Sequence, residues 1–218
     1  MFARISPRYD LLNHLLSLNI DKRWRRRVIR NLTPLVSRES RILDVACGTG
    51  DLSIELFENI GARVTGIDFC RPMLELAARK QPRIVFVEGD ALQLPFDNEV
   101  FDAVTIAFGL RNLSSVAQGL SELRRVLKPN GWAAILEFSK PVVPGFRSLA
   151  GAYCTRLLPQ IGGWISGSRS AYEYLPDSVA RFPDQETLSA MMTDAGFADV
   201  GFENLTGGVA ALHTGRKM

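Results

Sequence analysis

The stretch DVACGTGD (44–51) overlaps the end of an apolar run, ILDVAC (42–47), and leads into residues of helical spacing. Gly48 and Gly50 allow a sharp turn and close approach of the backbone to a ligand, as nucleotide-type cofactors require at the carboxyl end of a strand. A dinucleotide fingerprint G-x-G-x-x-G would place glycine at the third position, where Ser53 stands, and the turn is flanked by Asp44 and Asp51. Carboxylates crowding such a turn would repel a pyrophosphate and suit a cation. An ammonium and a sulfonium on one nucleoside describe S-adenosylmethionine, and an NAD-dependent oxidoreductase is disfavoured.

Four further apolar runs follow: RVTGID (63–68), IVFVEGD (84–90), FDAVTIAF (101–108) and WAAILEF (132–138). Five such runs separated by helical stretches predict a parallel sheet covered on both faces. The helix before the fifth run is the best defined: Val116, Leu120, Leu123, Val126 and Leu127 form one stripe, and KPNG (128–131) is expected to end it. Asp68 ends the second strand, where a carboxylate can accept hydrogen bonds from ribose hydroxyls. Asp90 ends the third and, with Ala91, could read an adenine edge. Any one strand-end Asp could equally be a cap or turn residue; three in successive strand–helix units beside a glycine turn favour a cofactor.

Outside this core, Ser6-Pro7 opens a short helix with Leu11, Leu12, Leu15 and Leu16, and a second helix starts at Asp21. In the second, Trp24, Val28 and Leu32 share one face, Arg23, Arg26, Arg27 and Arg30 another, and Pro34 stops it. Residues 1–37 are therefore a basic amphipathic arm, 38–140 a cofactor-binding core and 141–183 a helical lid rich in Gly, Ser, Pro and aromatics. Residues 184–218 read as a helix (185–195) followed by an antiparallel hairpin, all within a single domain of 1–218. A doubly wound α/β sheet with an antiparallel edge follows.

Of the 218 residues, 26 are Lys or Arg and 23 Asp or Glu, a net charge of +3. Residues 1–41 hold ten of the basic and three of the acidic side chains, so the arm is basic and the body acidic. With 46% hydrophobic residues the chain is an ordinary globular one. Its longest apolar run, 103–110, is far shorter than the roughly 18–20 residues that span a bilayer, and MFARISPRYD has no apolar signal region. A cytoplasmic location is expected. Cys47, Cys70 and Cys154 are widely spaced with no flanking His, so neither a disulfide framework nor a metal site is expected.

The chain resembles the C-methyltransferases of menaquinone and ubiquinone biosynthesis. The resemblance rests on RISPRYDLLN (4–13), LDVACGTGD (43–51), GID (66–68), GDALQLPF (89–96), FDAVTIAFGLRN (101–112), RVLKPNG (125–131), LEFSKP (136–141), YLPDSVARFPDQETL (174–188) and AGFADVGFENLTGGVAALHTGRK (195–217). It implies a Rossmann-like class I S-adenosylmethionine-dependent methyltransferase with a seven-stranded, mostly parallel sheet. It also implies cofactor contacts at Thr49, Asp68, Asp90 and Ala91, beside the Asp44, Gly48 and Gly50 of the turn. A further family cofactor position is often Ser; here it is Ala107, which offers no hydroxyl. Asn130 stands where relatives usually have Gly, which a left-handed turn tolerates.

The reaction so implied is methyl transfer to a ring carbon of a polyprenylated hydroquinone, either demethylmenaquinol or 2-polyprenyl-6-methoxy-1,4-benzoquinol. Loss of a phenolic proton, with a pKa near 10 as for Tyr, makes the ortho carbon nucleophilic, so a base or a phenolate-stabilising cation is needed. Arg111 in FGLRN is the leading candidate, as a stabiliser or water-orienting group rather than a free base, because a guanidinium keeps its proton at neutral pH. The plainer alternative is an Arg bridging to a carboxylate. Asn112 is expected to cap the next helix and His213 to be structural. The basic arm predicts weak contact with the anionic inner face of the cell membrane, where a polyprenyl quinol resides. No nucleic-acid partner is expected, since the Asn/Asp-Pro-Pro-aromatic turn of nitrogen methylation is missing from AFGLRN, and a homodimer is left open. The rival of another class is a non-catalytic cofactor- or lipid-binding subunit.

Overall fold

The computed structural model describes residues 19–143 and 177–218. The first predicted helix, most of the predicted lid, His14, Cys154 and the lid tyrosines lie outside them. Helix α1 (Ile20–Leu32) precedes the sheet, followed by β1 (Arg41–Val45), α2 (Asp51–Ile60), β2 (Arg63–Asp68), α3 (Arg71–Lys80) and β3 (Val85–Glu88). Then come β4 (Phe101–Ala107), α4 (Val116–Val126), β5 (Leu127–Phe138), α5 (Gln185–Asp194), β6 (Phe197–Leu205) and β7 (Ala210–Lys217).

The seven strands lie in the order β3-β2-β1-β4-β5-β7-β6. β1 to β5 pair in parallel, whereas β7 runs antiparallel to both β5 and β6. The hairpin therefore enters the sheet with its reversed strand inside and β6 at the edge. The strand order reverses direction beside β1, and the carboxyl ends of β1 and β4 flank that switch point, where open α/β sheets bind ligands.

Both faces are covered. Trp24, Val28, Ile29 and Leu32 of α1 join Leu52, Leu56 and Ile60 of α2 on one face. Leu120, Leu123 and Val126 of α4 join Leu188 and Met192 of α5 on the other. The buried stripe of α4 is the one its spacing predicts. Ser115, not Asn112, caps that helix by accepting a hydrogen bond from the Gln118 N–H, while Asn112 lies in the short turn Leu110–Asn112 and donates to the Phe108 carbonyl. The helix ends at Val126, and KPNG (128–131) belongs to β5 as an excursion opposite Asp102, between the pairs Phe101–Leu127 and Ala103–Trp132. Asn130 has φ +65° there, the left-handed conformation expected of it.

The β6–β7 turn joins three segments. Thr206 Oγ1 accepts from Trp24 Nε1 at 2.9 Å, and the Gly207 carbonyl accepts from the Val142 N–H at 3.0 Å. Gly208 has φ +91°, and a Cβ there would stand 2.8 Å from the Val142 nitrogen and 3.1 Å from the Lys140 oxygen. The glycine pair in NLTGGVAALH thus lets the chain leaving β5 cross the hairpin close to α1.

Candidate active site

The turn after β1 contains three left-handed residues: Ala46 (φ +52°), Gly48 (φ +56°) and Gly50 (φ +82°). A side chain at Gly50 would stand 3.0 Å from both Ala77 Cβ and Phe86 Cζ, so glycine is required by packing as well as by φ. Asp68, at the end of β2, holds the turn from the next strand. Its Oδ2 accepts from the Gly48 N–H at 2.9 Å and its Oδ1 from the Cys70 N–H at 2.8 Å. Burial raises its pKa, while the backbone N–H donors pull the other way.

Asp44 lies beneath the turn, 1% exposed, and accepts from Ser53 Oγ at 2.6 Å and Thr105 Oγ1 at 2.7 Å. The residue that departs from a dinucleotide fingerprint, Ser53, is thus a donor that ties the start of α2 to β1. Burial pushes the Asp44 carboxyl up to about 6 against the pull of both hydroxyls, and the nearby Asp68 adds to the rise. A raised carboxyl pKa in the folded state means that folded chains hold a proton that unfolded ones release, between roughly pH 4 and 6. The associated stability, about 3 kcal/mol, is fully present below the unfolded pKa and is lost as pH rises through about 6. Urea denaturation of the protein and of Asp44→Asn across pH 4–7 is expected to show this fall only where Asp44 is present; parallel pH profiles would refute it. A cationic ligand nearby has the opposite linkage: it favours the ionised acid and binds less tightly as pH falls through 6.

Asp51 does not present a free carboxylate to the turn. It pairs with Lys80 at 2.9 Å and Arg25 at 3.4 Å, which corrects the expectation that it flanks a cationic ligand. Thr49 is buried, Ala91 and Ala107 are half-buried, and Asp90 is exposed, accepting from the Leu92 N–H at 2.8 Å as a turn residue does. Phe69, next to Asp68, is 64% exposed, a large apolar ring just past the end of β2 that sequence reasoning passed over.

Arg111 sits past the end of β4, its side chain 10% exposed. Its Nη1 donates to Glu137 Oε1 at 2.6 Å and to the Phe108 carbonyl at 2.5 Å, and its guanidinium lies 5.2 Å from the Phe138 ring centroid. The carboxylate bridge weighed as the plainer alternative is therefore present. Its partner Glu137 is 1% exposed and also accepts from the Phe138 N–H at 2.8 Å. Arg111 Nε is buried and has no hydrogen-bond partner among the described residues, and such a donor is costly to leave unmade. Phe108, with φ +57°, packs tilted against Trp24 of α1 at a ring distance of 5.9 Å, Phe138 meets Trp24 edge-on at 6.0 Å, and the two Phe rings lie tilted at 4.8 Å from each other. Glu137 was missed, although an acid inside the apolar strand ILEF is a signal in itself.

His213 is 2% exposed; its Nε2 bonds the Gln185 carbonyl at 2.9 Å, and burial lowers its pKa. Cys70 is buried and Cys47 half-buried. Among the described residues no group of three or more His, Cys, Asp or Glu could hold a metal ion.

This strand order, a reversed strand inside one edge and a glycine turn after β1 define the Rossmann-like class I methyltransferase fold. A S-adenosylmethionine-dependent methyltransferase of Thermotoga maritima superposes with a TM-score of 0.67 at 18% identity, over 100% of each chain. One from Aquifex aeolicus does so with a TM-score of 0.65 at 19% identity, over 89% of each. The chain belongs to the ubiE/COQ5 methyltransferase family, whose model matches residues 1–217. It is 51% identical over 220 residues to the demethylmenaquinone methyltransferase of Thermus thermophilus, covering 99% of both chains. It is 46% identical to the ubiquinone/menaquinone biosynthesis C-methyltransferase of Citrifermentans bemidjiense, over 100% of this chain and 94% of that one. The chain is a methyltransferase.

Proposed function

We propose that the protein methylates a ring carbon of a polyprenylated hydroquinone, demethylmenaquinol or the corresponding benzoquinol. The names of its relatives support the substrate class, and one local observation supports the site: a buried Arg111 with Nε unpaired among the described residues, set beside Phe108 and Phe138 at the carboxyl ends of β4 and β5. S-adenosylmethionine supplies an electrophilic methyl group on a sulfonium. The left-handed turn and the raised carboxyls of Asp44 and Asp68 fit such a cation, because ionising a buried acid next to a positive charge recovers the cost of desolvation. Asp68 with Thr49, Asp90, Ala91 and Ala107 would hold the nucleoside, and Phe69 offers an apolar face for its base. The Arg111 guanidinium would donate to the quinol oxygen, stabilising phenolate and raising the nucleophilicity of the ortho carbon. Glu137 keeps the guanidinium oriented.

Transfer of labelled methyl from S-adenosylmethionine to a demethylquinol is the expected result with purified protein. Cofactor binding without transfer to naphtho- or benzoquinols would leave a binding subunit instead.

We also infer weak contact with the anionic inner face of the cell membrane. No helix among the described residues is long and apolar enough to cross a bilayer. The outer face of α1 exposes Arg23, Arg26 and Arg30, while Arg27 pairs with Glu203 at 2.6 Å, so three arginines rather than four carry the expectation. At about 1 kcal/mol each, charge reversal at these three is expected to abolish co-sedimentation with anionic vesicles at low salt. Co-sedimentation unchanged by the reversal would exclude the surface.

A further inference from the structure

We propose that Arg25 is a positioning residue that sets the cofactor turn from helix α1. Its side chain, 10% exposed, lies in the seam between α1 and α2. Each of its nitrogens goes to a different acid: Nε to Glu55 at 2.8 Å, Nη1 to Asp21 at 2.8 Å and Nη2 to Asp51 at 3.4 Å. Asp21 belongs to α1, whereas Glu55 and Asp51 belong to α2. Asp51 is the first residue of α2 and follows Gly50, whose left-handed conformation makes the turn. Fixing Asp51 and Glu55 from α1 thus fixes the rotation and height of α2 where the chain leaves the turn. The Gly50 end of α2 has no side-chain cap; Ser53 ties it to β1 through Asp44 and Lys80 pairs with Asp51, and Arg25 adds the tie to α1.

Stability alone is a poor reason for the arrangement. A buried ion cluster roughly breaks even against apolar residues of similar volume, because desolvation offsets the attraction. What a planar fork with three separate partners supplies is geometry, which a lysine ammonium cannot reproduce. The neighbouring residue, Trp24, packs on Phe108 and Phe138 beside Arg111. One turn of α1 therefore touches both halves of the site: Arg25 registers the donor turn and Trp24 the acceptor-side rings.

The inference rests on the reading of the turn as a S-adenosylmethionine site. Calorimetric titration of the wild-type protein with S-adenosylhomocysteine tests that reading separately; no binding there ends the cofactor assignment itself. With binding established, Arg25→Met is expected to raise Kd about ten-fold or more, with kcat at saturating cofactor within about three-fold of wild type. Arg25→Lys, keeping charge but not the fork, is expected to recover only part of the affinity. Should the Met variant not fold, Glu55→Gln carries the same test, since it weakens the Arg25 tie to α2 while leaving Arg25 paired with Asp21 and Asp51 paired with Lys80, and a several-fold rise in Kd is expected. A folded Arg25→Met or Glu55→Gln with wild-type Kd overturns the proposal. So does a loss confined to kcat.

Discussion

Arg111→Ala is expected to lower kcat by about two to three orders of magnitude, the usual effect of removing a donor to a developing oxyanion. Two things happen when that side chain is cut back. The donor to the quinol oxygen is lost, and Glu137, 1% exposed, loses its counterion and keeps only backbone N–H groups, those of Phe138 and Arg111. Leaving a buried charge without its partner typically costs about 3–5 kcal/mol, so a single variant would confuse lost chemistry with lost folding. The double variant Arg111→Ala/Glu137→Gln separates them. It is expected to recover most of the thermal stability and none of the turnover on a demethylquinol. Wild-type turnover in that double variant would make Arg111 no more than the counterion of Glu137.

Asp68→Ala should weaken S-adenosylhomocysteine binding by about a hundred-fold or more, the loss of two charge-assisted hydrogen bonds at roughly 1.5–3 kcal/mol each. The carboxylate holds the Gly48 and Cys70 N–H groups, so its removal loosens the turn as well as removing an acceptor for ribose hydroxyls. Asp90→Ala is expected to cost less, because Asp90 is exposed and its carboxylate accepts only the local Leu92 N–H among the described hydrogen bonds. Burial raises the Asp68 pKa, so the protonated form gains ground as pH falls, and affinity is expected to fall with it. Titration calorimetry of both variants at neutral pH, and of the wild type down to about pH 5, checks all three statements. Binding by Asp68→Ala within about three-fold of wild type would remove this acid from the cofactor site.

The legible part of the site was the part carried by backbone geometry and strand ends. Glycines at 48 and 50, acids at 44, 68 and 90 and the arginine at 111 all fall at carboxyl ends of strands that periodicity alone locates, and the structure gathers them at one end of the sheet. Their individual tasks were less legible. Asp44 reads as a carboxylate facing a cation, yet its two oxygens are taken by hydroxyls from Ser53 and Thr105, the latter 61 residues away. Asp51 reads the same way and is taken by Arg25 and Lys80. The ring cluster of Trp24, Phe108 and Phe138 draws on three elements and has no local signature.

What the amino-acid sequence determined by itself is the alternation of strands and helices, the turn after β1 and the division of charge between a basic arm and an acidic body. Each is a local property, because burial of a face repeats with the period of its own element and a left-handed turn selects its own residues. What only the tertiary structure decided is which acid answers which base: Glu137 to Arg111, three acids to Arg25, two hydroxyls to Asp44. A buried charge must find its partners within a few ångströms once water is gone, and those distances are set by how segments far apart in the chain pack, not by the spacing along it.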